Sequence, residues 1–304
     1  MKRRFLYIRD TVIILAFTIY ALLDFFVIPK TYGTAQAQTV PEAAASALTA
    51  EAGTETETAE AEITGTSYQD ENISVIMKTY QVNDTIVYVA DVQLSSIEYL
   101  KTAFAENVYG RNVTETTSEI AEGVNAILAI NGDYYGARDS GYVLRNGTLY
   151  RTNTSGKGQE DLVILSDGSF EIINESETSA EELNELDALQ VFAFGPALLT
   201  DGEISVTISE EVSQAKSSNP RTAIAEIEPL HYLFVVADGR TDESEGLTLY
   251  ELADFLQHLG ADTAYNLDGG GSSTMVFNGN LINNPTSTGK IKERSVSDIV
   301  YIGY

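Results

Sequence analysis

Asn-Gly and Asp-Gly pairs recur along this chain between short alternating apolar runs, and that pattern constrains the fold more than any other feature. "YVLRNGTLYR" breaks at Asn146-Gly147, "LVILSDGSFEII" at Asp167-Gly168 and "TMVFNGNLI" at Asn278-Gly279. Tight hairpin loops need positive φ, which Asn, Asp and Gly tolerate at least cost, so each pair predicts two strands joined by a two-residue loop. Residues 73–80 and 85–93 alternate at period two about "QVND" and predict a further hairpin. Helices are expected in three places only, around 115–122, 180–187 and 249–259. The last is the best delimited, because Thr248 and Glu251 form a capping box and Gly260 follows its end. The expected architecture is α+β, with β-dominated mixed sheets and a few packed helices.

The first 65 residues follow different rules. "MKRRFLYIRD" is a basic leader for residues 1–10, and the apolar run at 11–29 is long enough to span a bilayer, with Asp24 near its far end. Residues 34–39, "TAQAQT", offer an A-x-A-like cleavage site, but the length of the run favours a retained anchor over a cleaved signal. Residues 30–65, rich in Ala, Thr and Glu, are expected to be a solvated tether, which leaves 66–304 as a single folded domain outside the cytoplasm. Lys and Arg total 18 against 45 Asp and Glu, a formal net charge of −27 that argues against nucleic-acid or anionic-membrane affinity. Without cysteine there is no thiol nucleophile, disulfide or thiolate metal site.

Apolar strands repeatedly end in polar residues. "AILAINGDYYG" delivers Asn131 and Asp133, "NPRTAI" carries Arg221, "VVADGR" ends in Asp238 and Arg240, and "NNPTSTGKIKERSVSD" supplies Asn284, Arg294 and Asp298. The densest group is "NLDGGGSSTM", with Asp268 followed by Gly269, Gly270, Gly271, Ser272, Ser273 and Thr274. Three glycines oppose order unless bare backbone is needed, so this segment is either a tight turn or a cradle of N–H groups and hydroxyls for an anion. It is neither a P-loop nor a nucleophile elbow nor a dinucleotide fingerprint. His231 and His258 sit in an expected strand and helix, which disfavours a histidine-based triad or zinc site and leaves carboxylates as the available acids and bases.

Taken in order, "INGDYYG", "NPRTAI", "VVADGR", "LTLYELADFLQHLGADTAYNLDGGGSSTM", "NNPTS" and "ERSVSD" resemble the phosphodiester glycosidase family over roughly residues 72–304. The resemblance implies an enzyme that splits a sugar, such as N-acetylglucosamine, from a sugar-1-phosphodiester; with the N-terminal run placing the domain outside the cytoplasm, the expected substrate is a glycan or wall polymer there. Asp268, Asp238, Glu251 and Arg221 become the catalytic candidates, with Asp268 first; Glu251 already has a role as a helix cap. Asn131, Asp133, Arg240, Arg294 and the 269–274 segment become the substrate-binding candidates. Asp133 stands where relatives are expected to carry a small residue, so no acidic role is carried over to it. No cofactor is required, though acidic loops leave Ca²⁺ or Mg²⁺ open. The expected partners are a carbohydrate phosphodiester and, through the N-terminal segment, the membrane. Two other classes stay open: a non-catalytic polysaccharide-binding module, and a phosphodiesterase that attacks phosphorus.

Overall fold

The computed structural model describes residues 15, 18, 30–34, 61–156, 158–208 and 218–304. The expected leader, most of the apolar 11–29 run and most of the tether therefore lie outside the described residues. Among those described, no helix is long and apolar enough to cross a membrane. Lys30–Thr34, expected within the tether, is instead a strand paired antiparallel with Val108–Arg111.

The described strands form one nine-stranded sheet, two five-stranded sheets and two small two-stranded ribbons, with all their pairings antiparallel. Turn chemistry sets much of this order. Asn146-Gly147 and Asn278-Gly279 each have positive φ at both positions and join adjacent strands through two residues. The first hairpin closes at Asn83-Asp84, also both at positive φ, so its strands run Ile73–Val82 and Thr85–Leu94, longer than the alternation suggested. Asp167-Gly168 behaves differently. Its strands end at Leu165 and restart at Phe170, and the Asp167 carboxylate folds the longer loop by accepting from the Ser169 amide at 2.9 Å and hydroxyl at 2.6 Å.

Three helices, α1 (Thr117–Gly123), α2 (Ala180–Glu185) and α3 (Leu249–His258), each begin with a complete capping box. Helix α3 buries Leu249, Leu252, Ala253 and Leu256 against Val89, Ala223, Val235 and Ala264 on one face of the large sheet. Each buried leucine contributes roughly 1.5–3 kcal/mol of transfer free energy. The opposite face packs Val92, Ile224, Phe234 and Tyr265 against Leu128, Ile130, Leu162 and Phe192 from the two five-stranded sheets. Outside these, Ile120 and Ala121 of α1 pack on Ala129, Ile299 and Tyr301, while Leu183 of α2 packs on Val163 and Val191. Strands such as His231–Ala237 are buried on both faces, which explains their unbroken apolar sequence.

At one end of the large sheet, four strand termini lie side by side in the order Ala197–Thr200, Thr263–Asn266, Arg221–Glu228 and His231–Ala237. The register aligns them: Ala197 opposes Tyr265, Ala223 opposes Asn266 and Arg221 opposes Ala237. The segments running on from that edge contain Gly195-Pro196, Asn266–Asp268, Pro220-Arg221 and Asp238–Arg240.

Candidate functional site

Asp268 stands two residues past the end of its strand and is 8% exposed. Its Oδ2 accepts from the Ser272 hydroxyl at 2.6 Å and from Arg294 Nη2 at 2.8 Å, and Arg294 Nε donates to the same serine Oγ at 2.8 Å. These contacts fall on Oδ2, while Oδ1 takes no hydrogen bond among the described residues. Burial raises the carboxyl above its ordinary value; Arg294, the Ser272 hydroxyl and, through space, Arg138 pull it back, and burial prevails.

The main chain of Asp268 is tied in from two sides. Its amide donates to Gly132 O at 3.2 Å, and Asn131 Nδ2 donates to its carbonyl at 2.6 Å. Asn131 Oδ1 in turn accepts from Thr222 Oγ1 at 2.9 Å and from the Thr274 amide at 3.2 Å. Buried Asn131 is thus the joint between the "INGD" strand, the "NPRTAI" strand and the glycine bend.

The bend itself is packed. The Gly270 amide donates to Pro220 O at 2.8 Å, those of Ser272 and Ser273 bond back to Gly269 O and Gly270 O at 3.3 Å, and that of Thr274 goes to Asn131. Of the three glycine amides only that of Gly270 is taken, while those of Gly269 and Gly271 have no acceptor among the described residues, so a cradle here is limited to those two N–H groups. Gly270 has φ +61°, and a Cβ there would lie 2.9 Å from Arg240 Nη2; one on Gly269 would lie 3.0 Å from Pro220 O. The missing side chains let the chain approach the neighbouring loop and its guanidinium closely. Only Gly269 and Gly270 of the bend are partly open, whereas Ser273 and Thr274 are fully buried and their hydroxyls have no hydrogen-bond partner among the described residues.

Arg221, 3% exposed, donates from Nε to Leu247 O at 2.8 Å. Arg240 is exposed, and both its Nε and Nη2 donate to Asn219 Oδ1. Asp238 is buried and ties loops together, accepting from Asn283 Nδ2 at 3.0 Å and from the Asn284 amide at 3.0 Å. Asn283 Nδ2 also donates to Ser273 O at 3.0 Å, which links Asp238 to the bend. Burial, with the Asp238 carboxylate adding, pushes the Tyr88 hydroxyl up to about 12.

Two candidates are occupied elsewhere. Glu251 Oε2 accepts from the Thr248 amide at 2.9 Å and hydroxyl at 2.8 Å, and Oε1 from Asn83 Nδ2 at 2.9 Å, so its carboxylate is committed to the helix cap. Asp133 belongs to a fully buried ion triad: Arg145 Nη2 lies 2.9 Å from its Oδ1 and 2.8 Å from Asp298 Oδ2. Asp133 also accepts from the amides of Tyr135 and Ala193. Burial pushes Asp298 up, Arg145 pulls it down, and the Asp133 charge pushes it up again. Gly132 is required beside this triad, because a Cβ there would fall 2.2 Å from Asp298 Oδ1. The paired tyrosines separate: Tyr135 is buried and stacks on Tyr109 at 5.4 Å, while Tyr134 is 46% exposed. Among the described residues no three His, Asp or Glu side chains converge.

Arg138 is the charged group missed in the sequence. It donates from Nη1 to Ala193 O at 2.7 Å, lies 5.2 Å from the centre of the Phe194 ring, and acts electrostatically on Asp268. Only its position shortly after "NGDYYG" hints at this.

A buried carboxylate with one tethered oxygen, at the end of an antiparallel sheet and among arginines drawn from separate loops, defines a class of site suited to an anionic substrate. The sequence model of the phosphodiester glycosidases matches residues 124–303, and the chain belongs to that family. It is 30% identical over 202 residues to the SPbeta prophage-derived uncharacterized protein YomE of Bacillus subtilis, covering 64% of this chain and 31% of that protein. A 66-residue stretch, 22% of this chain and 13% of the relative, is 44% identical to the Mus musculus N-acetylglucosamine-1-phosphodiester alpha-N-acetylglucosaminidase. The chain thus spans less than a third of the length of these relatives. The fold is similar to the zebrafish catalytic domain of the same name, solved auto-inhibited by its pro-peptide, with TM-score 0.61, 20% identity, and coverage of 76% of this chain and 83% of that one.

Proposed function

We propose that the protein hydrolyses the anomeric C–O bond of a sugar-1-phosphodiester in an extracytoplasmic glycan or wall polymer. The observation that carries this is the state of Asp268: a buried carboxylate with Oδ2 fixed by Ser272 and Arg294 and Oδ1 left for chemistry. N-acetylglucosamine-1-phosphodiester, named for the mammalian relatives, is the first substrate to try. The basic leader and apolar run at the N-terminus support an address outside the cytoplasm, with the membrane as tether.

In the reaction, water oxygen bonds to C1 while the C1–O bond breaks and its electron pair leaves on the phosphate oxygen. Asp268 Oδ1 accepts the proton of the water, and its charge faces the cation developing at C1. The departing phosphomonoester is a stable anion, so a dedicated general acid is unnecessary. Arg294 and Arg240, with Arg221 behind them, meet the charge that builds on the leaving group. Because the chain carries a formal net charge of −27, this attraction has to act at contact distance, where solvent screens it least. Asp133 and Glu251 take no part, since both carboxylates are already committed.

Asp268→Asn is expected to lower kcat by about 10²–10⁴-fold at unchanged thermal midpoint. Product analysis by mass spectrometry on N-acetylglucosamine-1-phosphodiesters reads the outcome. Release of sugar phosphate in place of free sugar would transfer the reaction to phosphorus, and binding without any product would make the domain a binding module.

A further inference from the structure

One strand over from the strand that leads to Asp268, on the flank away from Arg221 and Arg240, lies a concavity of about 270 Å³ lined by residues 158–160, 194–196 and Ser205. Resting on the hydrolase reading above, we propose that this concavity is the subsite for the sugar: a single uncharged pyranose ring seated against Phe194, with the phosphodiester extending to the opposite flank.

The order of strand ends carries the argument. Neighbouring antiparallel strands stand roughly 4.8 Å apart. The Thr263–Asn266 strand leads to Asp268; on one side of it lies Arg221–Glu228, and on the other Ala197–Thr200, which is preceded by Phe194, Gly195 and Pro196. The reacting carboxylate therefore has a cationic neighbour one strand away in one direction and the concavity one strand away in the other. A sugar-1-phosphodiester has the same polarity, with an anion on one side of its scissile C–O bond and a neutral ring on the other.

The lining fits a ring and not an anion. Among the described residues no cationic side chain lines the concavity, Arg138 reaching only the Phe194 ring at 5.2 Å, and Glu160 would repel a phosphate. Gln159, Glu160 and Ser205 offer polar groups to hydroxyls, while Phe194 supplies a flat apolar face. Its volume is just under the roughly 300 Å³ at which ligand pockets usually begin, room for one ring and not for an oligosaccharide.

The wall is also mechanically joined to the reacting group. Asn266 Nδ2 donates to Gly195 O at 2.8 Å, and the Asn266 amide donates to Pro196 O at 3.2 Å, two residues before Asp268. The Phe194 amide donates to Tyr265 Oη at 2.9 Å, and Arg138 holds the ring from one side at 5.2 Å. Asn266 Oδ1 is buried beside this wall and has no hydrogen-bond partner among the described residues. Phe194 is thereby a specificity-determining residue whose position is set by the strand that delivers Asp268.

Two variants of the full-length protein test this: Phe194→Ala removes the platform, and Ser205→Trp, at an exposed position, fills the concavity. Free N-acetylglucosamine and glucose are titrated against wild type and both variants by NMR, and KM is measured for two substrate series. One series varies the sugar at a fixed aglycone, and the other varies the aglycone at a fixed sugar. Both variants are expected to weaken sugar binding and raise KM roughly tenfold or more. They should also flatten the ranking among sugars and leave the ranking among aglycones as in wild type. Wild type that binds neither sugar, unchanged sugar binding in Ser205→Trp, or an altered aglycone ranking overturns the subsite. Sugar binding that is lost in both variants, in a wild type that releases no sugar, would sink the hydrolase reading and keep the subsite.

Discussion

Asp161 gives the sharpest test of the electrostatics in this fold. It is fully buried, and burial first, then the charge and hydrogen bond of the Glu175 side chain facing it, push its carboxyl up to about 9. Gln159 Nε2 donates to its Oδ1 at 3.2 Å and pulls the other way, while Asp133 adds a smaller repulsion. In the unfolded chain the same carboxyl ionises near its ordinary value of 3.8. Between these limits the folded state holds one more proton than the unfolded state, so stability falls as pH rises, by about 1.4 kcal/mol per unit. From pH 4 to pH 7 that amounts to about 4 kcal/mol, a large share of a typical folding free energy of roughly 5–15 kcal/mol. Asp161→Asn keeps a donor toward Glu175 and removes the charge. Urea denaturation of both proteins at pH 4 and pH 7 measures the difference directly, since every other titrating group is shared. The variant should match wild type at pH 4 and exceed it by a few kcal/mol at pH 7. Parallel pH dependences, or a variant less stable at pH 7, would refute the reasoning.

Two further outcomes follow from side chains already committed. Glu251→Gln preserves the capping pattern and should leave both stability and turnover unchanged, whereas Glu251→Ala should cost about 0.5–2 kcal/mol in urea denaturation with kcat retained. Arg145→Met leaves Asp133 and Asp298 buried without their cation and should cost about 3–5 kcal/mol. Adding Asp133→Asn to it should restore part of that loss, read as a recovery of the urea midpoint.

Much of the secondary structure was legible because its causes are local. Asn146-Gly147 and Asn278-Gly279 demand positive φ at two adjacent positions, which fixes a hairpin regardless of its surroundings. Thr248 and Glu251 cap α3 with atoms three residues apart, so the same four letters predict both the helix start and the competing claim on the glutamate. The convergence of "INGD", "NPRTAI", "VVADGR" and "NLDGGG" could also be inferred, since apolar strands ending in polar residues imply one shared edge.

What each polar group does at that edge was not legible, because it depends on partners far away in sequence. The triple glycine reads as a nest for an anion, but only the structure shows that Pro220 O takes the Gly270 amide and leaves those of Gly269 and Gly271 without an acceptor among the described residues. Nothing local to the hairpin turn marks Arg145, which the sheets place between Asp133 and Asp298. The sequence alone determined the β-rich class, the helix starts and the polar strand ends, since dihedral preference and periodicity act between neighbours. Tertiary structure alone decided which carboxylate keeps an oxygen free, because burial and charge pairing are settled only when strands far apart in the chain come to lie side by side.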